Sequence, residues 1–229
     1  MTSELRPDIH EEGPVALLEN ASFAYDGETP VLQGVSLEWR QGERIGITGP
    51  NGSGKTTLLE AIVGLLPLTG GALRVFGVVP ECDADFLPVR RRIGMLFQDP
   101  DDQLFCTTVL EDVAFGPLNL GKTPEEARQQ AWKALREVGL ASFAKRITHR
   151  LSFGEKRLVG LAGVLAMKPD ALLLDEPTAG LDPEAETRVE ALLAGLPQAM
   201  IITSHNHGML HRLSHRMLAL EQGALRPGS

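Results

Sequence analysis

Apolar positions along the chain follow two different periods. Residues 15–25 and 31–39 are short runs rich in apolar and β-branched residues, the second with alternating apolar positions. Both read as strands, and Asp26-Gly27 and Gln41-Gly42-Glu43 mark the turns that follow them. A small antiparallel sheet is therefore expected first. Arg44–Thr48, 73–76, 93–97, 171–174 and 198–203 are short apolar runs that read as buried core strands, with 198–203 the last of them. Thr69–Ala72 reads as a turn, and 77–92 as a polar loop ending in Arg90-Arg91-Arg92, a solvated face.

The period becomes helical over 107–166. Thr108 with Glu111 forms a capping-box pattern. Thr123-Pro124-Glu125-Glu126 places a cap, a first-turn proline and two acids at a second start, and apolar positions 127, 131, 132, 135 and 138 follow before Gly139. Trp132 is expected in the core. Ser152 with Glu155 opens a third helix. A further helix is expected over 183–194, after the Gly180-Leu181-Asp182-Pro183 turn.

The chemistry centres on Gly49-Pro50-Asn51-Gly52-Ser53-Gly54-Lys55-Thr56-Thr57, which fits G-x-x-x-x-G-K-[ST]. It sits between the strand Arg44–Thr48 and the helical run Leu58–Val63. The glycines let successive backbone N–H groups converge on a phosphate, and the helix start adds further donors. Lys55 suits the β- and γ-phosphates, and the Thr56 hydroxyl suits Mg²⁺. A nucleoside triphosphate site follows.

Three strand ends supply companions. Gln98 follows the run 93–97. Asp175 and Glu176 follow 171–174; beside a metal and a phosphate, Asp175 suits a place just behind the metal's direct ligands and Glu176 suits the base that activates water. His205 follows 198–203, where it can hydrogen-bond a γ-phosphate. Ser152 offers a hydroxyl at a helix start, either as a cap or as part of an anion site. Tyr25, the single tyrosine, reads equally as a strand aromatic or as a platform for adenine. His207, His211 and His215 recur every fourth residue; metal binding is the weaker reading, because a strand-like run at 217–220 follows.

Composition narrows the class. With 229 residues, 43% of them hydrophobic, the chain can bury a sizeable core, and no apolar run approaches the roughly 20 residues a membrane span needs. The net charge of −8 argues against a nucleic-acid partner. Cys82 and Cys106 suggest reduced, partly buried thiols and no disulfide framework. The start of the chain has no secretory pattern, so a soluble cytoplasmic protein with a flexible tail over 1–14 is expected.

Taken together, the motifs resemble the ATP-binding subunits of ABC transporters over nearly the whole chain. The resemblance rests on the phosphate loop, Gln98, Leu151-Ser152-Phe153-Gly154-Glu155, Asp175-Glu176, Gly180-Leu181-Asp182 and His205. It implies an α/β fold: a P-loop NTPase core with a mainly parallel sheet (15–97 and 167–229), a small N-terminal antiparallel β subdomain within it, and an inserted helical subdomain (98–166). It implies ATP and Mg²⁺, with Tyr25 stacking on adenine and Ser152, Gly154 and Asp182 completing the nucleotide site. Thr56, Gln98 and Asp175 would hold the metal; Glu176, His205 and Lys55 would act in hydrolysis. It further implies a head-to-tail dimer, with itself or a close relative, at the inner face of the cell membrane, and membrane subunits docking near 99–115. The usual signature reads Leu-Ser-Gly-Gly-Gln; here Phe153 and Glu155 depart from it. Segments 97–105 and 154–157 resemble the cobalt, nickel and vitamin importers of the energy-coupling-factor group. A cassette serving another cargo, including export, and a soluble ATPase clamp are the alternatives.

Overall fold

A computed structural model describes residues 13–26 and 29–228. Most of the expected tail, and Gly27 of the first turn, lie outside the described residues. Strands β1 (Ala16–Ala24) and β2 (Pro30–Trp39) pair antiparallel, and β4 (Gly70–Val75) joins the other edge of β1, giving the order β2-β1-β4. The strand expected at 73–76 thus begins at Gly70, inside the expected turn. Its early start lets Ala72 pair with Glu19 and Gly70 with Ser22.

The second sheet contains β3 (Arg44–Thr48), β5 (Ile93–Leu96), β6 (Ala171–Asp175), β7 (Ala199–Thr203), β8 (Arg216–Glu221) and β9 (Ala224–Pro227). Its order is β5-β6-β7-β3-β8-β9, with every pairing parallel except the β8–β9 hairpin. The run 198–203 is therefore not the last core strand, since β8 pairs with β3. The hairpin turn places Gln222 and Gly223 both at positive φ, the conformation tight hairpin turns require.

Every residue of β6 and of β7 is buried. Leu172, Leu174, Met200 and Ile202 face one apolar core, while Ala171, Leu173, Ala199 and Ile201 face the other. Such two-sided burial explains why these strands read as continuous apolar runs. On one side, the antiparallel sheet and helix α1 (Lys55–Ile62) share a core through Leu18, Trp39, Leu58 and Leu59. On the other lie α3 (Val109–Asn119), α4 (Pro124–Glu137), α5 (Phe153–Ala166), α6 (Pro183–Gly195) and α7 (His207–Leu213). The capping boxes at Thr108, Thr123 and Ser152 all form, and Trp132 packs partly buried against the second core.

Residues 86–92 correct the expectation of a loop, because they form helix α2 (Phe86–Arg92). Nor are its arginines only a solvated face. Arg90 donates to the carbonyls of Val63 and Gly64 beyond the end of α1, at 2.9 and 2.8 Å. Arg92 pairs with Asp170 at 2.5 Å and lies over the Phe76 ring. Both thiols are free, but Cys82 is exposed rather than partly buried. Among the described residues, no helix is long and apolar enough to cross a membrane.

Candidate functional site

The ends of β3, β5, β6 and β7 open on one edge of the parallel sheet, where ligand clefts of open α/β folds lie. A cleft of about 340 Å³ there is lined by Tyr25, the phosphate-loop residues Asn51, Gly52, Gly54, Lys55, Thr56 and Thr57, and by Gln98, Asp175, Glu176 and His205. Residues far apart in the chain thus share one wall.

The loop from β3 to α1 needs its glycines. Gly49 has φ +149°, and a Cβ there would stand 2.3 Å from the Leu220 carbonyl oxygen. Gly52 and Gly54 also take positive φ. Lys55 turns back over the loop and donates to the carbonyls of Gly49 and Pro50, at 2.8 and 3.0 Å. Burial lowers its pKa, and the charges of Glu176 and Asp175 oppose that shift. Ser53 contributes a buried hydroxyl with no hydrogen-bond partner among the described residues.

Both oxygens of the buried Asp175 carboxylate are engaged. Thr56 donates to Oδ2 and Thr203 to Oδ1, each at 2.5 Å. Gln98 Oε1 lies 3.4 Å from the same Thr56 hydroxyl. Thr203, which no motif marks, is a member of the site that sequence reasoning missed.

Glu176 takes φ +50°, a left-handed conformation that costs a non-glycine residue about 1–3 kcal/mol. Its N–H donates to the Thr203 carbonyl at 3.0 Å. Its Oε2 accepts from the Ser204 hydroxyl at 3.1 Å, while Oε1 is buried without a hydrogen-bond partner among the described residues. His205 Nε2 lies 3.6 Å from that oxygen and 2.8 Å from Asn51 Oδ1. An orphaned carboxylate oxygen beside a phosphate loop is chemically suited to orient water.

Tyr25 follows β1, and its exposed ring meets Phe23 edge-on with centroids 4.9 Å apart. Its hydroxyl pairs with Thr57 Oγ1 at 3.1 Å, fixing the ring beside the loop.

Ser152, Gly154 and Asp182 do not line this cleft. Ser152 is the exposed N-cap of α5, accepting from Glu155 N–H at 3.3 Å. Glu155, a departure from the usual signature, accepts in turn from Ser152 N–H at 2.7 Å through its carboxylate. Gly154 sits so close to the next turn that a Cβ would stand 2.7 Å from the Gly180 carbonyl oxygen. Asp182 caps α6 through the N–H groups of Glu184 and Ala185.

The three histidines do not share one helix. His207 and His211 lie on α7, whereas His215 lies beyond it and its Nδ1 accepts from Arg44 N–H at 3.2 Å. Among the described residues, no three His, Cys, Asp or Glu side chains gather as a metal site.

A phosphate loop at the edge of a parallel sheet, faced by a strand-end carboxylate pair and flanked by a helical insertion, defines a P-loop ATPase. The ABC transporter family matches residues 32–179, and the chain belongs to that family. It is similar to the energy-coupling factor transporter ATP-binding protein EcfA of Methanothermobacter thermautotrophicus, at 39% identity over 91% of this chain and 68% of EcfA. Among solved structures it resembles cbiO1 of Clostridium perfringens, part of the ABC transporter complex cbiONQ. That match has a TM-score of 0.81 and 33% identity over 94% of this chain and 88% of cbiO1. It also resembles the dimeric post-hydrolysis ATP-binding cassette MJ0796 bound to ADP and phosphate. There the TM-score is 0.85 with 28% identity over 93% and 98% of the two chains. The protein is thus an ABC-type ATPase, the ATP-binding subunit of a transporter.

Proposed function

We propose that the chain powers a membrane importer of the energy-coupling-factor kind, for cobalt or nickel ions or a vitamin, and that its ATP site is shared between two chains. The observation that carries the shared site is the split of the motifs. Lys55, Thr56, Gln98, Asp175, Glu176 and His205 line one cleft, while Ser152 and Gly154 lie outside it at the open start of α5. A head-to-tail partner, a second copy or a close relative, would bring its own Ser152 and Gly154 to this cleft.

Tyr25 stacks on adenine, and residues 49–57 cradle the phosphates. Ser152, on meeting the partner's nucleotide, exchanges its capping bond for a phosphate contact, and Asp182 holds the adjoining turn at the interface. The oxygens of Thr56, Gln98 and Asp175 converge as a hard-ligand set and would hold Mg²⁺. When bound, that ion neutralises charge on the β- and γ-phosphates. Glu176 Oε1 accepts the proton of water as its oxygen bonds to the γ-phosphorus. The bond to the bridging oxygen breaks and ADP leaves. His205 and Lys55 steady the charge on the phosphoryl oxygens.

Membrane subunits dock along 99–115. Exposed Phe105 stacks edge-on against Phe115, with centroids 4.5 Å apart, and Leu118 extends this apolar groove. The similarity to EcfA and cbiO1 supports import and placement at the inner face of the membrane.

Co-purification from native membranes in mild detergent tests this reading. A small polytopic subunit with a metal- or vitamin-binding membrane subunit is expected. Two large permease subunits, or no membrane partner, would overturn it.

A further inference from the structure

Arg157 has no part in the site as described above, yet it is 1% exposed and lies behind the catalytic wall. It projects from the second turn of α5. Its Nη1 donates to the carbonyls of Asp175 and Glu176, at 3.1 and 2.8 Å, and its Nη2 donates to the carbonyl of Gln98. One planar fork thus ties the backbone of three proposed site residues to one helix. Burial lowers its pKa, opposed by the charges of Asp175, Glu176 and Asp99. A buried guanidinium is costly, and its Nε has no hydrogen-bond partner among the described residues, so its placement behind three carbonyls calls for a reason.

The reason lies in Glu176. Its left-handed backbone persists only where its surroundings over-determine it. Thr203 holds its N–H and Arg157 its carbonyl. Two neighbouring contacts reinforce the tie. Lys156 pairs with Asp101 at 2.5 Å, and the Phe153 ring lies 5.2 Å from the Arg157 guanidinium while packing over Gly180.

We infer that Arg157 is a positioning residue for hydrolysis, holding the Glu176 backbone and the Gln98 carbonyl in register with the start of α5. The inference rests on Glu176 being the base. Arg157 is buried and does not line the cleft, so its loss should misplace the base without removing any group that binds ATP.

The test measures steady-state hydrolysis by the full chain in its dimeric ATPase form, for Arg157→Ala and Arg157→Lys, with Glu176→Gln alongside. Arg157→Ala should lower kcat by about a hundredfold, the scale of a 1 Å misplacement, and leave KM for ATP within about threefold of the wild type. Added ethylguanidinium should restore part of its turnover and leave the wild type unchanged. Arg157→Lys should retain ATP binding and lose about tenfold in kcat, because a compact ammonium cannot reproduce the fork. Should Arg157→Ala fail to fold, the lysine variant decides alone. Unchanged kcat, or a fall in kcat matched by an equal loss of ATP affinity without rescue, would overturn the inference. Full turnover in both Arg157 variants with an inactive Glu176→Gln would sink only the role of Arg157. Full turnover in Glu176→Gln would remove the base assignment and this inference with it.

Discussion

Thr203 Oγ1 donates a 2.5 Å hydrogen bond to Asp175 Oδ1 across neighbouring parallel strands, and Thr56 donates to the other oxygen of the same carboxylate. Asp175 is 1% exposed, so the Thr203 bond replaces water at one of its lone pairs. Thr203→Val keeps the shape and removes the donor. Leaving that oxygen unpaired should cost about 1–3 kcal/mol, read from the midpoint of urea unfolding, and slow ATP hydrolysis. Thr203→Ser should restore both; a Thr203→Val chain as stable as the wild type would contradict the role given to this bond.

Lys55 holds two loop carbonyls and is largely buried. Lys55→Ala removes both the loop's internal clamp and its phosphate-facing charge. ATP affinity should fall by about tenfold to a hundredfold, the scale of a charge-assisted hydrogen bond. Calorimetric titration checks it, and unchanged affinity would sink the phosphate-loop assignment.

Gly154→Ala places a methyl 2.7 Å from a backbone oxygen of the Gly180 turn. The turn must move, at a cost of about 1–3 kcal/mol. We expect a lower melting temperature and slower hydrolysis, with ATP still bound by the chain's own phosphate loop. Unaltered stability would show that the turn yields freely.

Phe105 is 65% exposed although it stacks on Phe115. Phe105→Asp should weaken recovery of membrane subunits with the tagged chain by at least about tenfold, since aromatic anchors dominate such interfaces. Recovery at the wild-type level would place the docking surface elsewhere.

Much of the site was legible because its chemistry is local. A glycine loop between an apolar run and a helix start, and acids at the end of a buried strand, are readable in a few residues each. So were the capping boxes at Thr108, Thr123 and Ser152. Partnerships across the chain were not. β4 pairs with β1 through residues some fifty positions away, and Thr69–Ala72 carries only turn chemistry. Helix α2 hides behind Pro88 and a polar flank, and its three arginines resemble a solvated surface until Arg90 meets the end of α1. Thr203 carries no motif, and Arg157, though inside the segment 154–157 that resembles the energy-coupling-factor group, shows no site role in sequence. Their partners lie 28 and 18 to 59 residues away, so only the folded sheet brings them to Asp175, Glu176 and Gln98.

Glu176 bears the central claim, that the buried Oε1 beside His205 activates water for hydrolysis. The most direct measurement is phosphate release from bound ATP by Glu176→Gln in a single turnover, with ATP binding measured on the same sample. ATP should bind as in the wild type and hold the dimer closed, while hydrolysis falls by about a hundredfold to ten-thousandfold, the range for loss of a general base. Phosphate release at the wild-type rate would contradict the account.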